Sequence, residues 1–297
     1  MTEILVGTRA GLVSGPGGEP EGTTEPIVGL AGAGDVRWAL VGGGDVLRSD
    51  DGGWERVDSL DRYAGRCLLP TDEAVLIGTS EAHLYRLHRD ALALDEGFEA
   101  VAGRDGWYTP WGGPPDTRSM SMDDAGTVYV NVHVGGIVRS RDQATWEPTI
   151  DIDADVHQVL AHPTRTGMVL AACARGLAVS TDGGDSWDVA DDGLHGPYCR
   201  AVAVAGNTVL VSASTGPFTD RAAVYRRSLD GGDPFERCTG GLPEWFPSNI
   251  DTHRVAARGP MVALGTEGGE VWTSEDEGRT WERTASGLSP VTCVLIA

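Results

Sequence analysis

The octapeptide STDGGDSW at residues 180–187 decides how this sequence folds, because near-copies of it return along the chain. SEDEGRTW (274–281) repeats it, and SLDGGDPF (228–235) repeats it with Phe235 in place of Trp. Shorter versions are SRDQATW (140–146) and SDDGGW (49–54). Five near-copies in a chain of 297 residues indicate a repeat architecture.

Each copy follows two β-rich runs joined by a Gly turn, as in VLAACARGLAVS (169–180) and VALGTEGGEVWTS (262–274). Another alternating strand precedes most of these hairpins, and a short strand starts at the aromatic residue of the motif. Four strands in about forty residues are typical of a β-propeller blade. The sequence therefore predicts an all-β protein, a seven-bladed β-propeller with four-stranded blades; six blades are the alternative.

The two ends of the chain predict how the ring closes. The chain ends in VTCVLIA (291–297), which has the pattern of an inner strand without a hairpin after it. It begins with EILVGT (3–8), which has the pattern of a second strand without an inner strand before it. Pairing the two removes exposed sheet edges, so we expect residues 1–297 to form a single propeller domain.

The motif S-x-D-x-G-x-x-W resembles the Asp-box, or BNR repeat, of sialidase-like and sortilin-like propellers. The Asp carboxylate is expected to accept N–H bonds within the turn, and the Gly to supply a positive φ. We expect these residues to be structural rather than catalytic. The residues that match the motif are Ser180, Asp182, Gly184 and Trp187; Ser274, Asp276, Gly278 and Trp281; and Ser228, Asp230 and Gly232.

The composition is strongly acidic, with 44 Asp and Glu, 23 basic residues that are all Arg, and a formal net charge of −21. An acidic chain without Lys resembles the proteins of salt-accumulating archaea, in which surface carboxylates maintain solubility. An acidic protein of a GC-rich organism in ordinary salt is the alternative. Long-range repulsion disfavours nucleic acid and anionic membranes as partners.

The five cysteines are widely spaced and form no CxxC pair. This pattern favours buried free thiols in a reducing compartment over disulfides or a zinc site. The N-terminal MTEILVGTRAGLVSG has no basic lead and only a short apolar stretch, so no signal peptide is expected. We therefore predict a cytoplasmic protein.

A second repeat lies in the inner strands, two residues before the first inward apolar position. If these strands line the channel, the side chains at this position surround one mouth. Their convergence would resemble an anion or carboxylate receptor; alternatively, the arginines pair with Asp on neighbouring blades and hold the ring together. The residues are Arg66, Arg118, His157, Arg200 and His253, with Thr292 and Pro26 offered by the other two blades.

Aromatic loops precede several inner strands, in GRDGWYTPWGGPP (103–115), GLHGPYC (193–199) and GLPEWFPSNIDTH (241–253). Aromatic side chains on loops above a rigid scaffold suit a protein-binding hot spot or a sugar-stacking platform. Packing of these rings against the blades is the alternative. The expected rim residues are Trp107, Trp111, Tyr198 and Trp245.

The sequence predicts no metal site, although His133, His157 and His253 could approach one another at the mouth. Residues from different blades cannot establish ligand geometry from spacing alone. The nearby acidic run DIDADV (151–156) lacks the Gly and Glu of a calcium loop. We interpret this run as a solvated loop and expect no cofactor.

The Asp-box resemblance implies two classes of function. A sialidase-like glycoside hydrolase would use an Arg-Ile-Pro motif, an arginine triad and a Tyr nucleophile assisted by Glu, but the sequence contains no Arg-Ile-Pro. Sortilin-type receptors and the propeller that assists photosystem II assembly grip peptides and partner proteins, and the latter is similar in size. We predict a non-enzymatic scaffold for a protein, an acidic peptide or a small carboxylate; the hydrolase is the alternative.

Overall fold

The repeated hairpins form seven four-stranded antiparallel sheets, each a blade of a closed ring. The computed structural model describes residues 3–15, 19–50, 53–89 and 91–297. Over these residues the prediction of an all-β propeller with seven blades is confirmed. The central strands of the blades are largely buried, because blades on both sides cover their faces.

The strands are numbered in chain order over the described residues. The first three are β1 (Ile4–Thr8), β2 (Gly11–Ser14) and β3 (Glu19–Glu21). The first and second blades contain β4 (Ile27–Ala33), β5 (Val36–Val41), β6 (Asp45–Ser49), β7 (Glu55–Ser59), β8 (Gly65–Pro70), β9 (Val75–Thr79), β10 (Leu84–His88) and β11 (Ala91–Leu94). The third and fourth contain β12 (Thr117–Met122), β13 (Val128–Val132), β14 (Gly136–Ser140), β15 (Glu147–Ile150), β16 (Val156–Ala161), β17 (Val169–Cys173), β18 (Gly176–Ser180) and β19 (Asp188–Ala190). The fifth and sixth contain β20 (Tyr198–Ala205), β21 (Thr208–Ser214), β22 (Ala223–Ser228), β23 (Glu236–Arg237), β24 (Val255–Arg258), β25 (Met261–Gly265), β26 (Val271–Ser274) and β27 (Glu282–Ala285), and β28 (Val291–Ile296) follows.

In the part of the chain that the structure describes, helical structure is confined to short connecting segments. The α-helix α1 (Glu96–Glu99) begins at Asp95, whose carboxylate accepts the Phe98 N–H at 2.9 Å. Three 3₁₀ turns span Ser80–Ala82, Arg104–Gly106 and Ile152–Ala154. Among the described residues, no helix has the length and apolar character required to cross a membrane.

The seventh blade joins the two ends of the chain in the order β28-β1-β2-β3. Strand β28 pairs antiparallel with β1, with Ile4 opposite Ile296 and Gly7 opposite Cys293. The predicted closure is therefore confirmed. It converts two strand edges into one hydrogen-bonded pair and leaves no gap in the ring.

The core is divided into seven apolar clusters in the described chain, each lying between two neighbouring blades. Leu210 of the fifth blade and Trp281 of the sixth, for example, belong to one cluster. All five cysteines are buried free thiols within this packing. Each blade thus depends on its neighbours for burial of both faces.

The turns containing Asp182 and Asp276 form the hydrogen bonds expected from the repeated motif. The Asp182 carboxylate accepts from the Ser180 hydroxyl at 2.8 Å and from the Ser186 N–H at 2.9 Å. The hydrogen bonds from Ser186 hold the pKa of Asp182 well below its usual range. Asp276 accepts from Ser274 and Thr280 in the same way, and Trp281 donates to the Gly278 carbonyl at 3.0 Å.

The turn at residues 228–235 is held differently from these two. Asp230 pairs with Arg165 of the preceding blade at 2.9 Å. It also accepts a hydrogen bond from Asn207 of its own blade at 2.7 Å. The cause is Pro234, which stands where Ser186 donates in the complete motif and has neither an N–H nor a hydroxyl. In the copy at 49–54, residues 51 and 52 lie outside the described part of the chain.

Candidate binding site at the channel mouth

The inner strands share a β-bulge close to their first residue in six of the seven blades described. The bulge leaves one residue unpaired and turns its side chain away from the regular alternation. In the sixth blade, where Arg254 bonds to Gly265, His253 occupies the equivalent place. We call these seven residues the collar: Val28, Arg66, Arg118, His157, Arg200, His253 and Thr292.

The collar corrects one sequence-based assignment. Pro26 was expected to represent the first blade, but the register places Val28 there: Ile27 pairs with Val41, Gly29 pairs with Leu40, and Val28 is skipped. The apolar side chain of Val28 resembles the first inward residue of the strand, but the register gives that place to Leu30, opposite Ala39. The other six predicted collar residues hold the equivalent position.

The collar arginines form ion pairs with carboxylates that lie on other blades. Arg66 lies 3.0 Å from Asp116 on the next blade. Arg118 and Arg200 both approach one oxygen, Oδ1 of Asp251, at 3.5 and 3.2 Å. The arginines therefore do bridge blades, as the structural alternative predicted, but a single carboxylate serves two of them.

The same sharing occurs beside the collar. Arg9 and Arg254 both contact Glu267, at 2.6 and 2.5 Å. Among the described residues, five arginines at this mouth thus pair with three carboxylates, those of Asp116, Asp251 and Glu267, while a fourth carboxylate, Asp155, faces His133 and His157. The mouth is consequently more basic than the rest of a chain with a net charge of −21.

His157 faces the interior rather than the open mouth. Its side chain is fully buried, and Nδ1 donates to the Cys199 carbonyl at 2.6 Å. Burial, together with the guanidinium groups of Arg118 and Arg200, lowers the pKa of His157 well below its usual range. The imidazole is therefore neutral near pH 7 and adds no positive charge to the mouth.

His253 reaches across the channel. Its Nε2 donates to the Arg118 carbonyl at 3.2 Å, and the adjacent Thr252 hydroxyl donates to the His157 carbonyl at 2.9 Å. Burial, followed by the charge of Arg118, lowers the pKa of His253. Of the collar residues named for an anion receptor, His157 and His253 are thus neutral near pH 7, and the arginines supply the positive charge.

The open part of the mouth is a cavity of about 460 Å³. Its charged lining contains the arginines 9, 66, 118 and 254 and the aspartates 116 and 251. A second cavity, of about 340 Å³, lies along the inner strands and includes Val202 and Val255. His253 lines both cavities, so its side chain narrows the channel between them.

The predicted aromatic rim is only partly at the mouth. Trp111 is 65% exposed, with its ring 5.3 Å from that of His133, and Tyr198 packs between His157 and Arg200. Trp107 instead packs against Phe98. Trp245 packs against His195, away from the collar.

One aromatic residue at this mouth was not predicted. Phe218, in the loop between β21 and β22, is 97% exposed and lines a groove of about 500 Å³ with Arg200 and Asp251. A single Phe in a Gly- and Pro-containing loop gives no sequence signal of its own. Its position follows from the blade topology, which brings the turn between the second and third strands of each blade to the collar side of the ring.

The acidic members of the site were also missed, although the sequence contained a signal for them. Three inner strands begin with Asp two residues before the collar residue, as DTR (116–118), DVH (155–157) and DTH (251–253). These aspartates supply the carboxylates nearest the collar. The recurring Asp-x-Arg/His spacing would have identified them.

No family model and no curated protein matches this sequence. Among solved structures, YCF48 bound to D1 peptide is 15% identical with a TM-score of 0.59, over 95% of this chain and 84% of that chain. The RRP9 WD40 repeats are 14% identical with a TM-score of 0.62, over 89% and 80% of the two chains. An ancestral GH74 enzyme is 15% identical with a TM-score of 0.63, over 98% of this chain but 40% of its own. At these identities the similarity shows the propeller fold alone.

Proposed function

We propose that the collar mouth binds an acidic peptide segment of a partner protein without covalent chemistry. The observation that carries this proposal is the sharing of three carboxylates by five arginines on one face of an acidic chain. Arg presents two parallel donors to a carboxylate. An added carboxylate would therefore find donors that the protein's own acids do not saturate.

Arg118 and Arg200 are the central pair in this proposal. Both form ion pairs with the same oxygen of Asp251, and Nε of Arg200 is buried without a hydrogen-bond partner. A buried donor without an acceptor costs free energy until a ligand supplies one. We infer that an Asp or Glu side chain of the ligand binds here.

Exposed aromatic rings give the site a second kind of contact. Trp111 and Phe218 are largely exposed, and they lie on loops of different blades at the same mouth. Large apolar side chains in this setting mark interaction surfaces rather than core. The ligand we propose thus has acidic residues next to apolar ones.

A comparison of two solved propellers favours this class of function by analogy. The YCF48 structure contains a D1 peptide, whereas the GH74 enzyme is more than twice the length of the part that resembles this chain. We propose a scaffold role in preference to hydrolysis on this basis. A cytoplasmic location and a halophilic origin belong to the same proposal and rest on composition alone.

Binding of a fluorescent peptide rich in Asp, Glu and Leu, measured by anisotropy, tests the proposal. Arg118→Gln combined with Arg200→Gln should weaken binding by at least about tenfold, since each lost charged hydrogen bond is worth about 1.5–3 kcal/mol. The matched control is Arg141→Gln with Arg258→Gln, which makes the same charge change on the other side of the blades. Equal losses in both double variants would show general electrostatics and contradict the site.

The alternative functions give different results in the same material. A protein that binds no acidic peptide at low or high salt would overturn the proposal. Turnover of a chromogenic sialoside, abolished by the Arg118 and Arg200 changes, would favour the hydrolase. If the double variant fails to fold, Arg66→Gln replaces it, because that side chain is 41% exposed.

A further inference from the structure

Beside the collar, two histidines and one aspartate converge at the junction of the third and fourth blades. His133 lies in the turn after β13, and Asp155 and His157 lie at the start of β16. One ligand atom from each lies within 4.8 Å of those of the other two. We propose that His133, Asp155 and His157 bind a divalent transition metal ion, with zinc as the representative case; this site does not rest on the proposed function.

The distances match the requirements of such an ion. Nε2 of His133 lies 3.4 Å from Oδ1 of Asp155, and Nε2 of His157 lies 3.7 Å from the same oxygen. Ligand atoms around tetrahedral zinc, with bonds of about 2.0–2.1 Å, are separated by about 3.3 Å. Small side-chain movements would therefore bring all three atoms to one ion.

The hydrogen bonding of His157 fixes its chemistry as a ligand. Its Nδ1 donates to the Cys199 carbonyl, so the lone pair of the neutral ring is on Nε2, which faces Asp155. A metal-binding histidine commonly donates its other ring N–H in this way. The side chain is fully buried, and its Nε2 has no hydrogen-bond partner.

Asp155 presents a second unsatisfied atom to the same point. Its Oδ1 is buried and makes no hydrogen bond in the structure. The residue has left-handed backbone angles, φ 47° and ψ 67°, which cost energy for a residue with a Cβ. Its main chain is fixed by hydrogen bonds to Ile152 and Ala174. The backbone thus holds this carboxylate against the two imidazoles, not in solvent as the interpretation of DIDADV expected.

His253, the third histidine near this mouth, is not part of this set, because its Nε2 donates to the Arg118 carbonyl. Imidazole and carboxylate ligands together favour zinc and related first-row ions over calcium or magnesium. Three protein ligands leave coordination positions for water or a ligand carboxylate. The ion would therefore stand beside the proposed peptide site.

Arg118 is the group that opposes metal binding. Its guanidinium lies 3.3 Å from Nε2 of His133, where it donates to the atom that the ion requires. The same side chain also approaches Asp251 and Thr252, which can retain it when it leaves His133. Removing this charge should therefore strengthen metal binding, while it weakens acidic-peptide binding.

The test is calorimetric titration of the chelator-treated full chain with zinc chloride. We expect one zinc per chain and a raised melting temperature, because the ion binds the folded state. His133→Asn and Asp155→Asn should each weaken zinc binding by at least about tenfold. His195→Asn is the matched control and should leave binding unchanged, since His195 contacts Tyr225 away from the cluster.

Further measurements keep the result unambiguous. Cobalt should give the visible absorption of a site with nitrogen and oxygen ligands, which His133→Asn removes, and melting of each metal-free variant shows that it folds. The Arg118→Gln variant should bind zinc about tenfold more tightly, because the ion no longer faces the positive charge of the guanidinium. Absence of stoichiometric zinc in the parent protein, or unchanged binding in both ligand variants, would overturn the site. Loss of peptide binding with zinc binding retained would instead contradict only the proposed function.

Discussion

Nε2 of His253, on the sixth blade, lies 3.2 Å from the main-chain carbonyl of Arg118, on the third. This contact crosses the channel and joins blades that share no sheet. It depends on an unusual backbone, because His253 has a φ of 65°. His253, held in the left-handed region of backbone angles, thus links opposite blades at the centre of the ring.

Replacing His253 separates the cost of this backbone from that of the contact. Ala and Gly both remove the hydrogen bond, but only Gly adopts a positive φ without strain. We therefore expect the His253→Gly variant to be more stable than the His253→Ala variant, with a free energy of unfolding higher by about 1 kcal/mol in a denaturant titration. At His88, which has no positive φ, the Ala variant should be the more stable; equal stabilities at His253 would contradict the strain.

Two tryptophans of the repeated turns form a natural comparison. Trp281 and Trp146 are similarly buried, but Trp281 donates to the Gly278 carbonyl, whereas Nε1 of Trp146 has no partner. Trp281→Phe should therefore destabilise the protein by about 1 kcal/mol more than Trp146→Phe. Thermal and denaturant unfolding of the two variants measure this difference. A larger loss at Trp146 would show that the hydrogen bond is not the deciding term.

Closure of the ring predicts the effect of a C-terminal truncation. Deleting residues 290–297 removes β28 and exposes the edge of β1. We expect loss of cooperative melting and concentration-dependent aggregation, observed by calorimetry and light scattering. A synthetic peptide of residues 290–297 should partly restore the transition, and a truncated chain that melts like the full protein would refute the closure.

The lowered pKa of His162 leads us to expect a loss of stability in mild acid. Its buried Nδ1 accepts the N–H groups of Thr164 and Arg165, both at 3.1 Å, and burial followed by the charge of Arg165 lowers its pKa. The unfolded chain therefore binds a proton at higher pH than the folded one, so the free energy of unfolding falls as pH drops below about 6.5.

The variant His162→Asn tests this assignment. Asn can accept the same N–H groups but does not titrate, so the variant should lose less stability than the parent between about pH 8 and pH 5.5. Denaturant titrations at the two pH values give the comparison. Other histidines contribute equally to both proteins. An identical pH dependence would show that His162 is not responsible.

The acidic surface predicts a dependence on salt. With a net charge of −21, self-repulsion should lower the melting temperature in dilute buffer, and about 2 M potassium chloride should raise it by screening. Sucrose at the same osmolality is the control, because it does not screen charge. A melting temperature independent of potassium chloride would contradict a surface adapted to salt.

Much of the site's position follows from the sequence, because the repeat fixes which strand each residue begins. The position two residues before the first inward apolar residue, chosen from spacing, coincides with the bulge at Arg66, Arg118 and Arg200, which the ring brings to one mouth. Pro26 is two residues away from the correct position because the apolar Val28 was counted as the first inward residue, whereas the register gives that place to Leu30, opposite Ala39. The sharing of Asp251 by two arginines was not predictable, since it joins the third, fifth and sixth blades.

The sequence alone determined the architecture. Turns such as STDGGDSW and the two-residue alternation between them are local patterns, and local hydrogen bonds and burial suffice to define hairpins, blades and their number. The side-chain arrangement at the mouth was decided only by the tertiary structure. The burial of His157, the approach of Asp155 to His133 and the place of the exposed Phe218 at the same mouth depend on distances between residues of different blades. Those distances are set by the packing of whole sheets around the ring, which no single repeat encodes.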